Sequence, residues 1–269
     1  MNVPKPLIPK EHGSWSVLFV PLLAGAGIAG KFDLKIIFLL LSVFFLYLGY
    51  YSCLSYFRWR NLSAEKLGDY LFWSFIYSAF AFLFSLYLLI QYQLGLLVPF
   101  GFFSILFLCL QIIQALHKKE RTISGEFSGV LALTFSAPLS YYVSTGIFNQ
   151  ANLSLWFLNF LFFGRSIFYV KMKVKANSVK ESLDSLNKKF YSGKEVLLYL
   201  LLMFSGVFFL TFLHLAPIFS MLAFVPATFY TLGGILRLGR KIKMKNLGFM
   251  EMANSLAFAL ILILTFSKK

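Results

Sequence analysis

Two adjacent ionisable residues, Glu11 and His12, precede the first apolar run of the chain. They lie in the motif Pro9-Lys-Glu-His-Gly-Ser-Trp15, in which Gly13 permits a turn and Trp15 is suited to anchor at a membrane interface. The pair is a candidate for ligand binding. An ordinary helix start followed by an interfacial tryptophan explains the same residues.

Arg165 is the most informative single residue, because it lies within an apolar run, about one turn before the end that we predict for it at residue 169. A charge in hydrocarbon is costly, so Arg165 reaches the interface, pairs with a carboxylate or holds an anionic ligand. Tyr169 lies four residues on and shares its helix face. We expect Glu126, Arg165 and Glu251 to converge on one cytosol-facing pocket.

Four carboxylates, Asp69, Glu126, Glu195 and Glu251, each lie where an apolar run begins. The positive end of a helix dipole explains such a position without any function. Glu126 and Glu251 are the stronger site candidates, because apolar residues follow them at once. Their neighbours at helical spacing are Gly125 and Gly129 around Glu126, and Asn254 and Ser255 after Glu251.

The remaining candidate ligand-binding residues are the cations Arg58, Arg60, Arg121 and Lys171. The planar fork of arginine suits phosphate oxygens. The topology of a membrane protein also requires cations on one side of the bilayer.

The composition excludes a water-soluble domain, since 59% of the 269 residues are hydrophobic and only 13% are charged. The net charge of +15 comes from short clusters between apolar runs, which favours a topology signal over nucleic-acid binding. We predict an all-α bundle of about nine spans that forms a single transmembrane domain over residues 1–269. The spans are 14–30, 34–57, 69–90, 94–116, 125–148, 153–169, 195–213, 216–236 and 248–266.

Most lysines and arginines lie in alternate connections, which places the N-terminus in the cytosol, the C-terminus outside and the protein in the inner (cytoplasmic) membrane. The longest connection carries a predicted cytosolic amphipathic segment, residues 178–192, with Ser178 as its cap and Gly193 as its stop. This segment lies on the membrane surface, caps the bundle or is a solvated loop.

Motifs of soluble enzymes are missing from the sequence. It contains no P-loop, no Gly-x-Gly-x-x-Gly, no Gly-x-Ser-x-Gly and no Cys/His metal spacing. Cys53 and Cys109 both lie in apolar runs and suggest no disulfide framework.

Three stretches resemble the YwiC-like family of bacterial membrane proteins. They are Pro9-Lys-Glu-His-Gly-Ser-Trp15, Arg121-Thr-Ile-Ser-Gly-Glu126 and Arg165-Ser-Ile-Phe-Tyr-Val170. Members typically show Glu-His-Gly-Ala-Trp, and Ser14 stands here in place of the alanine. The resemblance implies no biochemical role.

A more distant resemblance is to the UbiA-type intramembrane prenyltransferases. Lys118-Lys-Glu-Arg-Thr122, followed by Gly125, Gly129 and Ala137-Pro138, is similar to their fourth connection and fifth span. It implies nine spans, a site that faces the cytosol and an isoprenoid diphosphate as ligand. Those enzymes hold Mg²⁺ with two aspartate-rich motifs, and this chain has arginines and no aspartate after its second span.

Two functions from different classes follow. In the first, a UbiA-like bundle in the lipid bilayer binds or transfers an isoprenoid or another lipid with an anionic head, and Arg58, Arg60, Arg121, Arg165 and Lys171 replace the metal. The second is a membrane carrier or a non-catalytic accessory subunit, for which Pro21, Pro99, Pro138 and Pro226 are candidate helix interruptions. We rank lipid-anion binding first.

Overall fold

The computed structural model describes residues 4–9, 12–59, 63–178, 185–239 and 242–266, and these form helices without any strand. The predicted all-α class is therefore confirmed. The helices are α1 (His12–Ala29), α2 (Leu34–Arg58), α3 (Ala64–Tyr92), α4 (Leu97–Leu116), α5 (Ile123–Thr134), α6 (Ser136–Thr145), α7 (Gln150–Ser178), α8 (Leu186–Ser192), α9 (Lys194–Phe212), a 3-10 helix (Ile218–Phe224), α10 (Val225–Leu236) and α11 (Met244–Phe266).

Seven helices within the described residues are long and apolar enough to cross a membrane: α2, α3, α4, α7, α9, the 3-10 helix continued by α10, and α11. Two predicted runs remain. The shorter apolar helix α1 occupies the run 14–30, and the pair α5–α6 occupies the run 125–148. The chain is thus a multi-pass membrane bundle, and about nine is an approximate count of its spans.

The predicted run 125–148 is broken at Phe135, where α5 ends and α6 begins. Backbone groups inside a bilayer have to be satisfied by protein. Side chains of α7 bond to carbonyls on both sides of the break. The indole Nε1 of Trp156 donates to the Leu131 carbonyl at 3.1 Å, and Nδ2 of Asn152 donates to the Pro138 carbonyl at 2.9 Å.

Small residues bring α1 into close contact with its neighbours. The α-carbon of Gly25 lies against the backbone of Ala137 and the hydroxyl of Ser140 on α6, and Gly27 lies against Ile263 on α11. Glycine permits this approach because it carries no Cβ. The contact holds α1 between α6 and α11.

Two predicted boundaries are wrong. Helix α7 does not end at residue 169 but continues to Ser178, so Arg165 lies about 20 Å from its C-terminal end at a rise of about 1.5 Å per residue. Ser178 is therefore the last residue of a long helix and not a cap. The helix that follows is capped by Ser185, whose hydroxyl accepts a bond from the Lys188 amide.

The helical part of the predicted segment 178–192 is α8, with Gly193 directly after it as predicted. None of its residues is buried, and Leu186 and Tyr191 expose 59% and 72% of their surface. Residues 179–184 lie outside the described residues.

Candidate functional site

Arg165 and Glu251 form a buried ion pair between α7 and α11. Nη2 of Arg165 lies 2.7 Å from Oε2 of Glu251, and Nη1 lies 3.4 Å from Oε1. No part of the Arg165 side chain is exposed. The predicted pairing of Arg165 with a carboxylate is therefore present, and the alternative that it extends to the interface is wrong.

Two hydroxyl groups complete this pair. Nη1 of Arg165 donates to Thr231 Oγ1 at 2.7 Å, and the Ser166 hydroxyl donates to Oε2 of Glu251 at 2.5 Å. Nε of Arg165 has no hydrogen-bond partner among the described residues. The sequence analysis missed both hydroxyls, because serine and threonine are common in membrane helices and no spacing marks these two.

Tyr169 and Lys173 continue the polar stripe along α7. The Tyr169 ring centroid lies 5.8 Å from Cζ of Arg165 and 5.7 Å from Nζ of Lys173. Lys173 is buried, and its ammonium group donates to the Gly234 carbonyl at 2.6 Å. Lys173 was missed as a candidate, although its steps of four from Arg165 and Tyr169 were readable in the sequence.

The helix dipole does not explain Glu251, because this residue lies about two turns inside α11, which begins at Met244. Ser255 is buried on the same face, as predicted. Asn254 is turned away from it, and its Nδ2 donates to the Met250 carbonyl of its own helix. Asn254 is therefore not part of this cluster.

Glu126 does not join Arg165 and Glu251, which corrects the expected convergence of the three. It lies in the first turn of α5, and its Oε1 accepts from Nζ of Lys171 at 2.9 Å. The same ammonium group donates to the Arg121 carbonyl at 2.6 Å. Helix α7 thus carries the cation partners of both carboxylates: Arg165 pairs with Glu251, and Lys171 pairs with Glu126.

A second charged cluster surrounds the turn between α4 and α5. The guanidinium of Arg58, the last residue of α2, makes a two-bond ion pair with the carboxylate of Glu120 in this turn. Arg121 is exposed in the same turn. Glu11, Arg60 and the side chain of His12 lie outside the described residues.

A cavity of about 780 Å³ lies among the first six helices. This volume is typical of a small-molecule pocket. The wall is mainly apolar and includes Val43, Tyr50, Phe82, Leu89, Gly101 and Leu133. Sequence reasoning did not find it, since a void depends on how helices pack and not on the residue pattern of any one of them.

Five of the six serines in the cavity wall are hydrogen-bonded within the protein: Ser42, Ser74, Ser85, Ser104 and Ser136. The hydroxyls of Ser42 and Ser85 lie 2.6 Å apart, and Ser42 also donates to the Ala81 carbonyl. Ser74 donates to the Gly49 carbonyl at 3.3 Å, and Ser104 to the Phe100 carbonyl at 2.9 Å. With these bonds formed, the cavity suits a hydrocarbon chain better than a polar solute.

Exposed side chains of α3 and α4 form part of the cavity wall. Phe82 on α3 and Phe102 on α4 both line it, and they expose 64% and 66% of their surface. Ser74 and Leu89 of α3 both contact it and lie about 22 Å apart at a rise of about 1.5 Å per residue. The cavity therefore extends along most of the roughly 30 Å hydrocarbon thickness of a bilayer.

The described residues hold no group of three or more His, Cys, Asp or Glu side chains with the geometry of a metal site. Both cysteines are free thiols, with Cys53 half-buried and Cys109 exposed.

Two comparisons relate the chain to known sequences. The family model described as YwiC-like protein matches residues 8–141, which include the motif that ends at Trp15 and the one that begins at Arg121. No solved structure matches the chain. An uncharacterized protein of Haemophilus influenzae is 32% identical over 171 residues, which cover 64% of this chain and 68% of the relative. The chain belongs to the YwiC-like family.

Proposed function

We propose that this protein binds a lipid with a long apolar chain, an isoprenoid or another lipid with an anionic head, in the cavity among α1 to α6. The observation that carries the proposal is the cavity itself. It is lined mainly by hydrocarbon side chains, exposed residues of α3 and α4 form part of its wall, and five of its six serine hydroxyls are hydrogen-bonded within the protein. A single chain that enters sideways from the bilayer fits such a space.

The charged cluster at one end of the cavity supports an anionic head. Cys53 of α2 lines the cavity, and Arg58 lies about 8 Å further along the same helix. Lys118, Lys119 and Arg121 are exposed in the turn that follows α4. Cations at this end attract a phosphate or carboxylate head, and each charge-assisted hydrogen bond adds to its affinity.

Arg165 is a weaker candidate for binding the head group. Its charge is balanced by Glu251 at 2.7 Å, and its side chain is buried. The proposal therefore assigns the anion to the Arg58 end of the cavity, with the exposed cations Lys118, Lys119 and Arg121 nearby.

Gly101 offers a sharp test, because it lines the cavity and a Cβ built at this position meets no atom within 4 Å. Gly101→Leu fills the cavity without a backbone clash. We expect lipid that co-purifies in mild detergent, measured by native mass spectrometry, to fall at least about tenfold, or about 1.4 kcal/mol.

The matched control is Gly233→Leu. Gly233 lies inside α10, also meets no atom within 4 Å, and does not line the cavity. Both variants replace a helical glycine and gain similar helix propensity. The proposal requires that the control keep its lipid. Equal lipid content in the two variants would overturn it.

A membrane carrier is the second candidate. The broken fifth run and the 3-10 start of α10 are helix interruptions of the kind that carriers use around a substrate site. Uptake of a water-soluble solute into proteoliposomes that contain the wild-type protein, absent from empty liposomes, would favour this function over lipid binding.

A further inference from the structure

The ion pair of Arg58 and Glu120 joins two walls of the cavity at one end. Arg58 is the last residue of α2, and Glu120 lies in the turn that follows α4. Both helices line the cavity. Tyr50, about two turns before Arg58 on α2, also lines it. The pair therefore lies where the head of a bound lipid would emerge.

This ion pair is accessible to water, in contrast to that of Arg165. The Arg58 side chain exposes 34% of its surface and the Glu120 side chain 18%. An accessible pair in a high dielectric is weak and easily exchanged. A buried pair is held in place, because separating its members leaves an uncompensated charge in hydrocarbon.

The surroundings of the pair carry an excess of positive charge. Lys118, Lys119 and Arg121 are exposed around Glu120. On the far side of the turn, Lys171 is already neutralised by Glu126. Glu120 pairs with Arg58 in these surroundings, so an anion that replaced this carboxylate would enter a positive field.

We infer that Glu120 is a built-in competitor for the lipid head, and that Arg58 exchanges this carboxylate for a phosphate group when a lipid enters the cavity. This inference rests on the proposed function and adds its regulation: an empty cavity is closed at this end by the ion pair, and an anionic lipid opens it. A neutral lipid has no group that can take the place of Glu120. The site therefore selects lipids by head charge.

The test compares two probes with the same chain, geranylgeranyl monophosphate and geranylgeraniol, and follows the ratio of their affinities in detergent. Glu120→Gln removes the competitor and raises phosphate affinity about two- to fivefold, which is the full strength of an accessible ion pair. Arg58→Gln lowers it at least about tenfold, because a charge-assisted bond to phosphate is lost. Affinity for the alcohol stays unchanged in both variants.

Glu126→Gln is the matched control, since Glu126 belongs to the other accessible ion pair of this turn and its partner is Lys171. Its affinity ratio stays at the wild-type value. Unchanged ratios in Glu120→Gln and Arg58→Gln, with the alcohol still bound, would overturn the inference and leave the proposed function standing. If Glu120→Gln and Arg58→Gln lowered the affinity for geranylgeranyl monophosphate equally, the ion pair would have only a structural role, and the inference would be wrong. If the wild-type protein binds neither probe, the proposed function itself is wrong.

Discussion

The guanidinium of Arg165 on α7 lies 2.7 Å from the carboxylate of Glu251 on α11, although the two residues are 86 positions apart in the chain. Neither charge has another ionic partner within 4 Å among the described residues. The pair joins the longest C-terminal helices of the bundle, and its two charges have to be buried together or not at all.

Replacing Arg165 alone is expected to destabilise the protein strongly. Arg165→Met leaves the Glu251 carboxylate buried without a counter-charge, and we expect the free energy of unfolding to fall by about 3–5 kcal/mol. Thermal unfolding in detergent measures the loss. The double variant Arg165→Met/Glu251→Met recovers most of it, because a methionine pair fills the space without charge. A double variant no more stable than the single one would contradict this account.

Lys171→Met is the control for that measurement. Its ion pair with Glu126 is about one-third exposed on both sides. Accessible pairs are worth about 0–1 kcal/mol, so a small change in the unfolding temperature is expected.

Two glycines of α1 are expected to differ sharply when each is changed to alanine. A Cβ at Gly25 collides with the backbone carbonyl of Ala137, which cannot move away without shifting α6. A Cβ at Gly27 meets the flexible end of the Ile263 side chain. We expect Gly25→Ala to cost about 1–3 kcal/mol of unfolding free energy and Gly27→Ala clearly less. Similar unfolding temperatures for both variants would refute the packing of α1 on α6.

The orientation predicted from the lysines and arginines is open to cysteine labelling. Cys53 and Cys109 are first replaced by serine. A cysteine at Lys188 in α8 is then expected to react with an impermeant reagent only from the cytosolic side, and one at Asn149, in the turn between α6 and α7, only from outside. Labelling of position 188 in intact cells would show that the predicted orientation is wrong.

Lipid binding is expected to be indifferent to metal removal. The described residues offer no cluster of metal-ligating side chains, and the charged groups at the Arg58 end of the cavity are mostly cationic. Treatment with EDTA should therefore leave the affinity for geranylgeranyl monophosphate within about twofold, well below a tenfold step of 1.4 kcal/mol. Loss of binding that Mg²⁺ restores would point to a metal-dependent site.

The helices were predictable because bilayer thickness imposes a length on every apolar run. The interior of the run 125–148 was not predicted, because the run is broken at Phe135. Carbonyls on both sides of this break accept hydrogen bonds from Trp156 and Asn152 of α7. No local pattern in this run predicts hydrogen bonds from a distant segment of the chain. The end of α7 was also misplaced, because Lys171 and Lys173 read as loop residues until their partners on other elements are known.

The candidate site was predictable where a buried charge required a partner of opposite charge. A single arginine in an apolar run requires a counter-charge, so the sequence indicated the partner of Arg165 as one of two carboxylates. It did not indicate which one, since both lie near the start of a predicted apolar run. The pair of Arg58 and Glu120 was not predicted, because Arg58 is already explained by the topology rule and either residue is stable in water alone.

The broken fifth run also limits how the bundle is divided. The family match ends at residue 141, yet within it the Leu131 carbonyl accepts a bond from Trp156 and the Pro138 carbonyl accepts one from Asn152, and both donors lie beyond the match. The end of the matched segment therefore does not coincide with a boundary in the packing of the bundle, because α7 bonds directly to it.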